Sequence, residues 1–152
     1  MDFAGIDIEA VVPHRGSMRM IDQLLANDPD SVVVSAEIRA DNLFADALGV
    51  PAWVGIEYMA QAIAAWAGCR ALERNEPVKI GFLLGTRRYD CQCQHFPIGA
   101  QLRIEATREL FGDNGLGMFA CRILEGNVSL ASAHVSVFEP PDPEAFLEGQ
   151  NP

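Results

Sequence analysis

Glu57 is the only acidic residue within residues 51–69, PAWVGIEYMAQAIAAWAGC, a stretch that otherwise consists almost wholly of small and apolar residues. Poorly solvated surroundings disfavour the charged form of a carboxyl group, so we expect Glu57 to hold a proton that it can donate near neutral pH. Gln61 follows one helical turn later on the same side and can hydrogen-bond to Glu57. The alternative is a buried structural carboxylate bonded to the backbone or to an arginine, and we favour the functional interpretation.

A helix is needed to carry Glu57, and the sequence predicts one. Pro51 is expected to open it, residues 52–74 contain no proline, and Pro77 follows its end. At 3.6 residues per turn the segment makes roughly six turns. Because apolar residues occupy several of its faces, the helix is predicted to be central and buried rather than to lie on the surface.

The remaining elements are predicted to be strands. Residues 31–38 are rich in β-branched side chains, and four further strand-like segments follow the helix, at 78–93, 100–110, 116–126 and 127–139. The motifs GDNGLG and EGN between the later segments are typical of hairpin turns, which we prefer to a phosphate-binding loop. The pattern predicts an α+β domain over residues 1–140, in which a curved antiparallel sheet wraps round one long helix, and a flexible C-terminal tail over 141–152.

Composition and charge restrict the function further. The chain has 152 residues, 49% of them hydrophobic and 21% charged, as expected for one globular domain. Its net charge of −10 argues against general affinity for nucleic acid or an anionic membrane. No apolar run reaches the length of a membrane span and the N-terminus lacks the basic start of a secretory signal, so a cytoplasmic location with reduced cysteines is expected.

Three blocks of sequence resemble the hotdog-fold 3-hydroxyacyl-thioester dehydratases, and especially the branch of predicted 3-hydroxyacyl-[acyl carrier protein] dehydratases associated with polyene and fatty-acid-type synthesis. They are VPHRGSMRMIDQLL at 12–25, PAWVGIEYMAQAIAAWAG at 51–68, and LLGTRRYDCQCQHFPIGAQLRIEATREL at 83–110. The second block is similar to the central hotdog helix, with the glutamate four residues before a glutamine. The resemblance extends from residue 12 to about residue 138, and so across the domain.

The resemblance implies an activity and a site. In this family a histidine takes the proton from C2 of the thioester, and the carboxyl that matches Glu57 protonates the departing 3-hydroxyl group as water, in a tunnel at a dimer interface. Backbone N–H groups after Pro51 would polarise the thioester carbonyl. No cofactor and no metal are expected. The residues at the start of the helix that are predicted to contact the substrate are Pro51, Ala52, Trp53 and Gln61.

The sequence departs from the family pattern at the catalytic histidine. That histidine normally precedes the glutamate by fourteen residues, where this chain has Leu43, and no histidine occurs between positions 15 and 94. His14, in the Pro-His-Arg motif, is our candidate replacement. The alternative is that His14 is a partly buried structural imidazole. For His134, in the last strand, a core or surface role is preferred.

The sequence contains two further polar clusters that are candidate binding sites. Arg87 and Arg88, with Arg70 or Arg74, can receive a phosphopantetheine arm or an acidic carrier protein, although a solvated strand face is the alternative. Cys91, Cys93 and His95 alternate along one strand, but C-x-C-x-H lacks the usual zinc spacing and a fourth ligand, so we prefer side-chain packing. Trp53, Tyr58 and Trp66 fit core or interface aromatics better than groups that stack on a substrate.

Three functional hypotheses remain open. The first is dehydration of 3-hydroxyacyl thioesters, carried on acyl carrier protein or coenzyme A, by a homodimer or heterodimer. The second is a non-catalytic hotdog subunit that pairs with a histidine-bearing dehydratase. The third is hydrolysis of acyl thioesters, in which Glu57 would activate water on the same fold.

Overall fold

The structure is a computed structural model, and it describes residues 2–79 and 81–140. Its central element is helix α1, Gly55–Glu73, which follows one turn of 3-10 helix at Ala52–Val54. Buried residues lie on most sides of α1 because the segment is apolar nearly all round. The helix ends at Arg74, and Asn75 then adopts a left-handed backbone conformation with φ of 54°. The predicted central helix is confirmed.

Within residues 2–79 and 81–140 the structure contains eight strands, which are β1 Gln23–Asp28, β2 Ser31–Glu37, β3 Val50–Pro51, β4 Phe82–Cys91, β5 His95–Phe96, β6 Gln101–Phe111, β7 Leu116–Glu125 and β8 Val128–Phe138. Six of these strands form one antiparallel sheet in the order β1-β2-β6-β7-β8-β4. The short strands β3 and β5 pair with each other beside the start of α1.

The core lies between α1 and one face of the sheet. Alternate residues of β2 and β6 point towards the helix, among them Val34 and Ile104, which are opposite one another in the register. The same alternation continues through β7 and β8 with Phe119, Ile123 and Val135. One apolar face of the sheet is therefore buried against the helix, which is the α+β arrangement that the sequence predicted.

Some boundaries differ from the predicted ones. Pro51 does not open the helix but lies in β3, where it is paired with His95. A two-residue strand tolerates proline because it requires few backbone hydrogen bonds, and proline has no backbone N–H to donate. Strand β1 was not predicted, because Leu24 is its only fully buried residue and it therefore shows no apolar alternation. The predicted tail, 141–152, lies outside the described residues.

Two expectations concern redox state and membranes. All four cysteines are free thiols, with Cys69 and Cys121 buried and Cys91 and Cys93 partly exposed. Within residues 2–79 and 81–140, the structure contains no helix with the length and apolar character of a membrane span.

Candidate active site

A face of small residues on α1 creates the space beside Glu57. Glu57, Ala60, Ala64 and Ala67 are spaced by three, four and three residues, so they lie on one side of the helix. None of them is fully buried, in contrast to the core-facing residues between them. Because alanine side chains reach only a short way from the backbone, this face leaves room for a ligand along the helix.

The N-terminal segment brings His14 to the same face. It crosses α1 at Gly68, where a side chain would overlap the backbone carbonyl of Val11. His14 lies three residues further along this segment, close enough to Glu57 for that side chain to act electrostatically on the imidazole. Arg15 fixes the segment by donating hydrogen bonds to the carbonyls of Val12 and Glu9, at 2.7 and 2.8 Å.

Gln61 connects Glu57 to the loop that follows His14. Its side-chain amide donates hydrogen bonds to the Glu57 carboxylate at 3.0 Å and to the carbonyl of Met18 at 2.7 Å. Its oxygen accepts a hydrogen bond from the backbone N–H of Met20 at 2.9 Å. Gln61 is fully buried, and its partners comprise two acceptors and one donor, which fixes the orientation of the amide. Gln61 thus positions Glu57 and the loop.

Glu57 and His14 line one cavity of about 290 Å³. The cavity runs along the small-residue face of α1 and is closed by the ends of β4, β6 and β8. Its walls are mainly apolar and aromatic, as expected of a site for an acyl group. The other lining residues are Pro13, Ala60, Ile63, Ala64, Trp66, Ala67, Lys79, Gly81, Phe82, Leu83, Phe111, Val137, Phe138 and Glu139.

Burial favours the neutral form of the His14 imidazole. Burial lowers the pKa of His14 below its ordinary value of 6.5, Arg15 lowers it further, and the Glu57 carboxylate opposes both effects. The Nδ1 atom is buried and has no hydrogen-bond partner within the described residues. A neutral imidazole near a carboxyl group is the form that can accept a proton from a substrate.

A second cavity, of about 330 Å³, meets Glu57 from the other side. It is strongly apolar, and Trp53 and Phe44 pack edge to face at its rim with ring centroids 5.5 Å apart. Trp53 is 62% exposed and Leu43 is 55% exposed, so large apolar side chains are grouped at the surface around this cavity. The lining residues are Ser17, Met18, Met20, Leu43, Phe44, Trp53, Val54, Ile56, Glu57 and Leu83.

Only some of the residues that were predicted to contact the substrate line a cavity. Glu57 and Trp53 line cavities, whereas Gln61, Pro51 and Ala52 line neither of the two. The backbone N–H of Ala52 donates to the carbonyl of Gln94 at 2.9 Å, and its own carbonyl accepts a hydrogen bond from the Tyr89 hydroxyl. The N–H of Ala52 is therefore engaged within the protein, and polarisation of a thioester by the N–H groups after Pro51 stays a prediction for the residues that follow Ala52.

The arginines lie in two separate places. Arg87 and Arg88 are exposed on β4, where the pairing with β8 is interrupted and Arg88 has a φ of 54°. Neither lines either cavity that meets Glu57. Arg70 and Arg74 instead line a smaller pocket of about 100 Å³ at the other end of α1. The grouping of Arg87 and Arg88 with Arg70 or Arg74 is therefore absent from these pockets.

That smaller pocket adjoins the first cavity, because both are lined by Trp66, Ala67, Lys79, Phe111 and Glu139. Lys79 was missed from the sequence, as were the aromatic residues at the ends of β4 and β8. Alternation along a strand shows which residues face the core. It does not show which of them border an empty space, so no local pattern marked these residues.

The other histidines and the cysteine pair lie outside the cavity linings. His134 hydrogen-bonds through Nδ1 to Glu109 at 2.7 Å, and His95 through Nε2 to Asp46 at 3.0 Å. The Sγ atoms of Cys91 and Cys93 are 3.6 Å apart. In the part of the chain that the structure describes, no group of three or more His, Cys, Asp or Glu side chains is arranged to hold a metal ion.

A long buried helix wrapped by an antiparallel sheet is the hotdog fold. The family model described as ApeP dehydratase matches residues 6–148. The chain belongs to the ApeP-like dehydratase family. The predicted hotdog fold and the predicted relationship to dehydratases are thereby confirmed.

Solved structures agree with this assignment. A chain of the dehydratase heterocomplex ApeI:P from Xenorhabdus doucetiae is similar with a TM-score of 0.88 and 26% identity, over 97% of this chain and 99% of that chain. The E. coli PaaI protein from the phenylacetic acid degradation operon gives a TM-score of 0.60 and 14% identity, over 76% and 81% of the two chains. A hypothetical thioesterase from Streptococcus pneumoniae, solved with coenzyme A, gives 0.57 and 10%, over 76% and 83%. The last two show the fold alone. No curated protein sequence matches the chain.

Proposed function

We propose that this protein takes part in the dehydration of 3-hydroxyacyl thioesters, carried on acyl carrier protein or coenzyme A, to trans-2-enoyl thioesters. The observation that carries the proposal is that Glu57 and His14 line one apolar cavity along the central helix. Membership of the ApeP-like dehydratase family supports the reaction class. A cytoplasmic location remains a prediction from the sequence.

The proposed roles follow from the protonation states that the reaction requires. Neutral His14 removes a proton from C2 of the acyl group, and the electrons of that C–H bond form the C2–C3 double bond. The bond between C3 and its hydroxyl oxygen breaks, and protonated Glu57 donates its proton to that oxygen, so that water leaves. The lowered pKa of His14, caused mainly by burial, favours the base form that the first step needs. Gln61 holds Glu57 in place through its 3.0 Å hydrogen bond.

We further propose that the protein works as a heterodimer with another hotdog-type protein. The structural relative from Xenorhabdus doucetiae belongs to the dehydratase heterocomplex ApeI:P. In this chain the second cavity is apolar and opens between exposed large side chains, among them Leu43 and Trp53. A partner that covers this opening would bury that surface and complete the walls around Glu57.

The polar pocket beyond the first cavity is the proposed position for the phosphate of the carrier arm. Arg74 and Lys79 line it, and cations at the mouth of an apolar cavity would attract a phosphate or an acidic carrier protein in a chain whose net charge is −10. This proposal replaces the predicted role of Arg87 and Arg88, which lie outside the cavities.

The test is a dehydration assay on the purified protein, alone and together with a hotdog partner that carries the family histidine. Glu57→Gln should reduce turnover by about 100-fold or more, because the general acid is lost. Glu125→Gln, which alters an exposed glutamate on β7, is the matched control and should leave the rate unchanged. A rate that is indifferent to Glu57 would refute the assigned role.

Substitution of His14 distinguishes the hypothesis of an enzyme active alone from the hypothesis of a non-catalytic subunit. If the protein dehydrates the substrate alone, His14→Ala should lower the rate by a similar factor, whereas His134→Ala, on the far face of β8, should not. If turnover appears only with the partner and survives His14→Ala, the base is supplied by the partner, and this chain contributes Glu57 or the cavity wall. Release of free thiol without formation of the enoyl product would indicate the thioesterase alternative.

A further inference from the structure

Cys91 and Cys93 form a close pair of thiols that the proposed reaction does not use. Cys91 is the last residue of β4, and the chain bends before Cys93, which brings the two Sγ atoms to 3.6 Å. A disulfide bond measures about 2.0 Å between sulfur atoms, so the bond requires the two atoms to approach by roughly 1.6 Å in total.

The pair lies in a segment that holds the start of the central helix. On one side of it, the Tyr89 hydroxyl donates a hydrogen bond to the carbonyl of Ala52. On the other side, the carbonyl of Gln94 accepts a hydrogen bond from the N–H of Ala52 at 2.9 Å, and His95 pairs with Pro51 in the small sheet. A change of geometry between residues 91 and 93 is therefore transmitted to residues 50–55.

We propose that Cys91 and Cys93 are a redox modification site, at which a peroxide forms a reversible intramolecular disulfide that loosens the contacts of Ala52. One sulfur attacks a peroxide oxygen, the O–O bond breaks, and a sulfenic acid and one water form. The second sulfur then attacks the first, the S–O bond breaks, and a second water leaves with the proton of the second thiol. Two sulfurs are oxidised by two electrons in all, and the peroxide is reduced.

The chemistry of the pair determines the rate and the reversibility. Burial, together with the contact to Cys91, raises the pKa of Cys93 to about 11, so oxidation should be slow at neutral pH and should accelerate as the pH rises. A disulfide that closes so short a loop gains little from restriction of the unfolded chain. Strained and partly exposed disulfides are the easily reduced ones, so dithiothreitol should restore the thiols.

The first experiment counts thiols in the unmodified chain. After treatment with hydrogen peroxide, denaturation and alkylation, two of the four cysteines should no longer be alkylated. Peptide mapping should show Cys91 joined to Cys93, and reduction should restore all four. Four alkylated cysteines after treatment, or sulfinic acid in place of the bond, would overturn the proposal. A bond that involves Cys69 or Cys121 would also overturn it.

A matched pair of variants gives a second test. Cys91→Ser should abolish the bond, whereas Cys69→Ser, which removes a buried thiol of α1, should retain it. The structural consequence is read by hydrogen exchange on the native chain, in which the amide of Ala52 should exchange faster after oxidation and recover after reduction. Unchanged exchange in a protein with the mapped bond would refute the coupling to the helix start. Neither readout depends on catalytic activity.

Discussion

Gln61 makes three hydrogen bonds inside the protein, and two of them hold the loop at Met18 and Met20 against α1. Replacement of Gln61 by leucine should remove this attachment. Leucine fills a similar volume but leaves the N–H of Met20, a residue only 5% exposed, without an acceptor. An unsatisfied buried N–H costs about 1–3 kcal/mol, and loss of the hydrogen bonds to Met18 and Glu57 adds about 1 kcal/mol. We therefore expect Gln61→Leu to lower the free energy of unfolding by about 2–4 kcal/mol.

Urea denaturation followed by circular dichroism measures this loss. With a slope of about 2 kcal/mol per M, the midpoint should fall by about 1–2 M. Gln23→Leu is the matched control, because Gln23 is exposed on β1 and its replacement should change the midpoint little. A loss below about 0.5 kcal/mol for Gln61→Leu would refute the assignment, since that is the usual range for surface substitutions.

Gln61→Glu tests the orientation of the amide separately. A carboxylate at this position can still accept the hydrogen bond from Met20, but it cannot donate to Met18 or to Glu57. This variant should therefore be strongly destabilised at neutral pH and should recover part of its stability on acidification, when the new carboxyl can donate one hydrogen bond. A stability that is independent of pH relative to the native chain would contradict the described network.

Three further predictions follow from the same geometry. Burial lowers the pKa of His14 below 6.5, so the contribution of His14 to stability is full above about pH 7 and is lost as the pH falls from 6.5 towards the lower folded-state pKa. Urea midpoints should therefore fall less steeply with acidification for His14→Gln than for the native chain. Equal slopes would contradict this prediction. Gly55→Ala should cost about 1–3 kcal/mol because the new methyl group would overlap the Tyr89 hydroxyl. Adding Tyr89→Phe should recover part of that loss in denaturation experiments, and no recovery would place the clash elsewhere. Ala64→Phe should fill the first cavity and weaken binding of a long-chain acyl thioester about tenfold or more, as followed by tryptophan fluorescence from Trp66. The control is Ala40→Phe, which alters an exposed alanine. Unaltered affinity in Ala64→Phe would show that the acyl chain lies elsewhere.

The helix and most strands could be predicted because their burial is regular. Residues 55–73 are apolar without a helix breaker, and β6 alternates between buried and exposed side chains over its first six residues. Where burial is irregular, the sequence contains little information about secondary structure. In strand β1 only Leu24 is fully buried. Pro51 lies in the two-residue strand β3, although a proline at this point of the sequence is also typical of the start of a helix.

The candidate site was predictable only in part. Glu57 stands out because it is an isolated charge in an apolar segment, which is a local property. The cavity beside it depends on the packing of α1 against the ends of three strands, and residues such as Lys79 and Phe138 reach it from distant parts of the chain. Arg87 and Arg88 show the opposite case, because a conspicuous local charge pair lies outside both cavities that meet Glu57.

His14 reaches Glu57 through contacts that no local pattern displays. The absence of a side chain at Gly68 lets Val11 approach α1, and Gln61 then holds the loop at Met18 and Met20 on the far side of His14. Both attachments are to the helix that carries Glu57, so the imidazole and the carboxyl are positioned by one rigid element. The pairing of His14 with Glu57 should therefore be sensitive to substitutions at Gly68 and Gln61, and insensitive to substitutions on the outer face of the sheet.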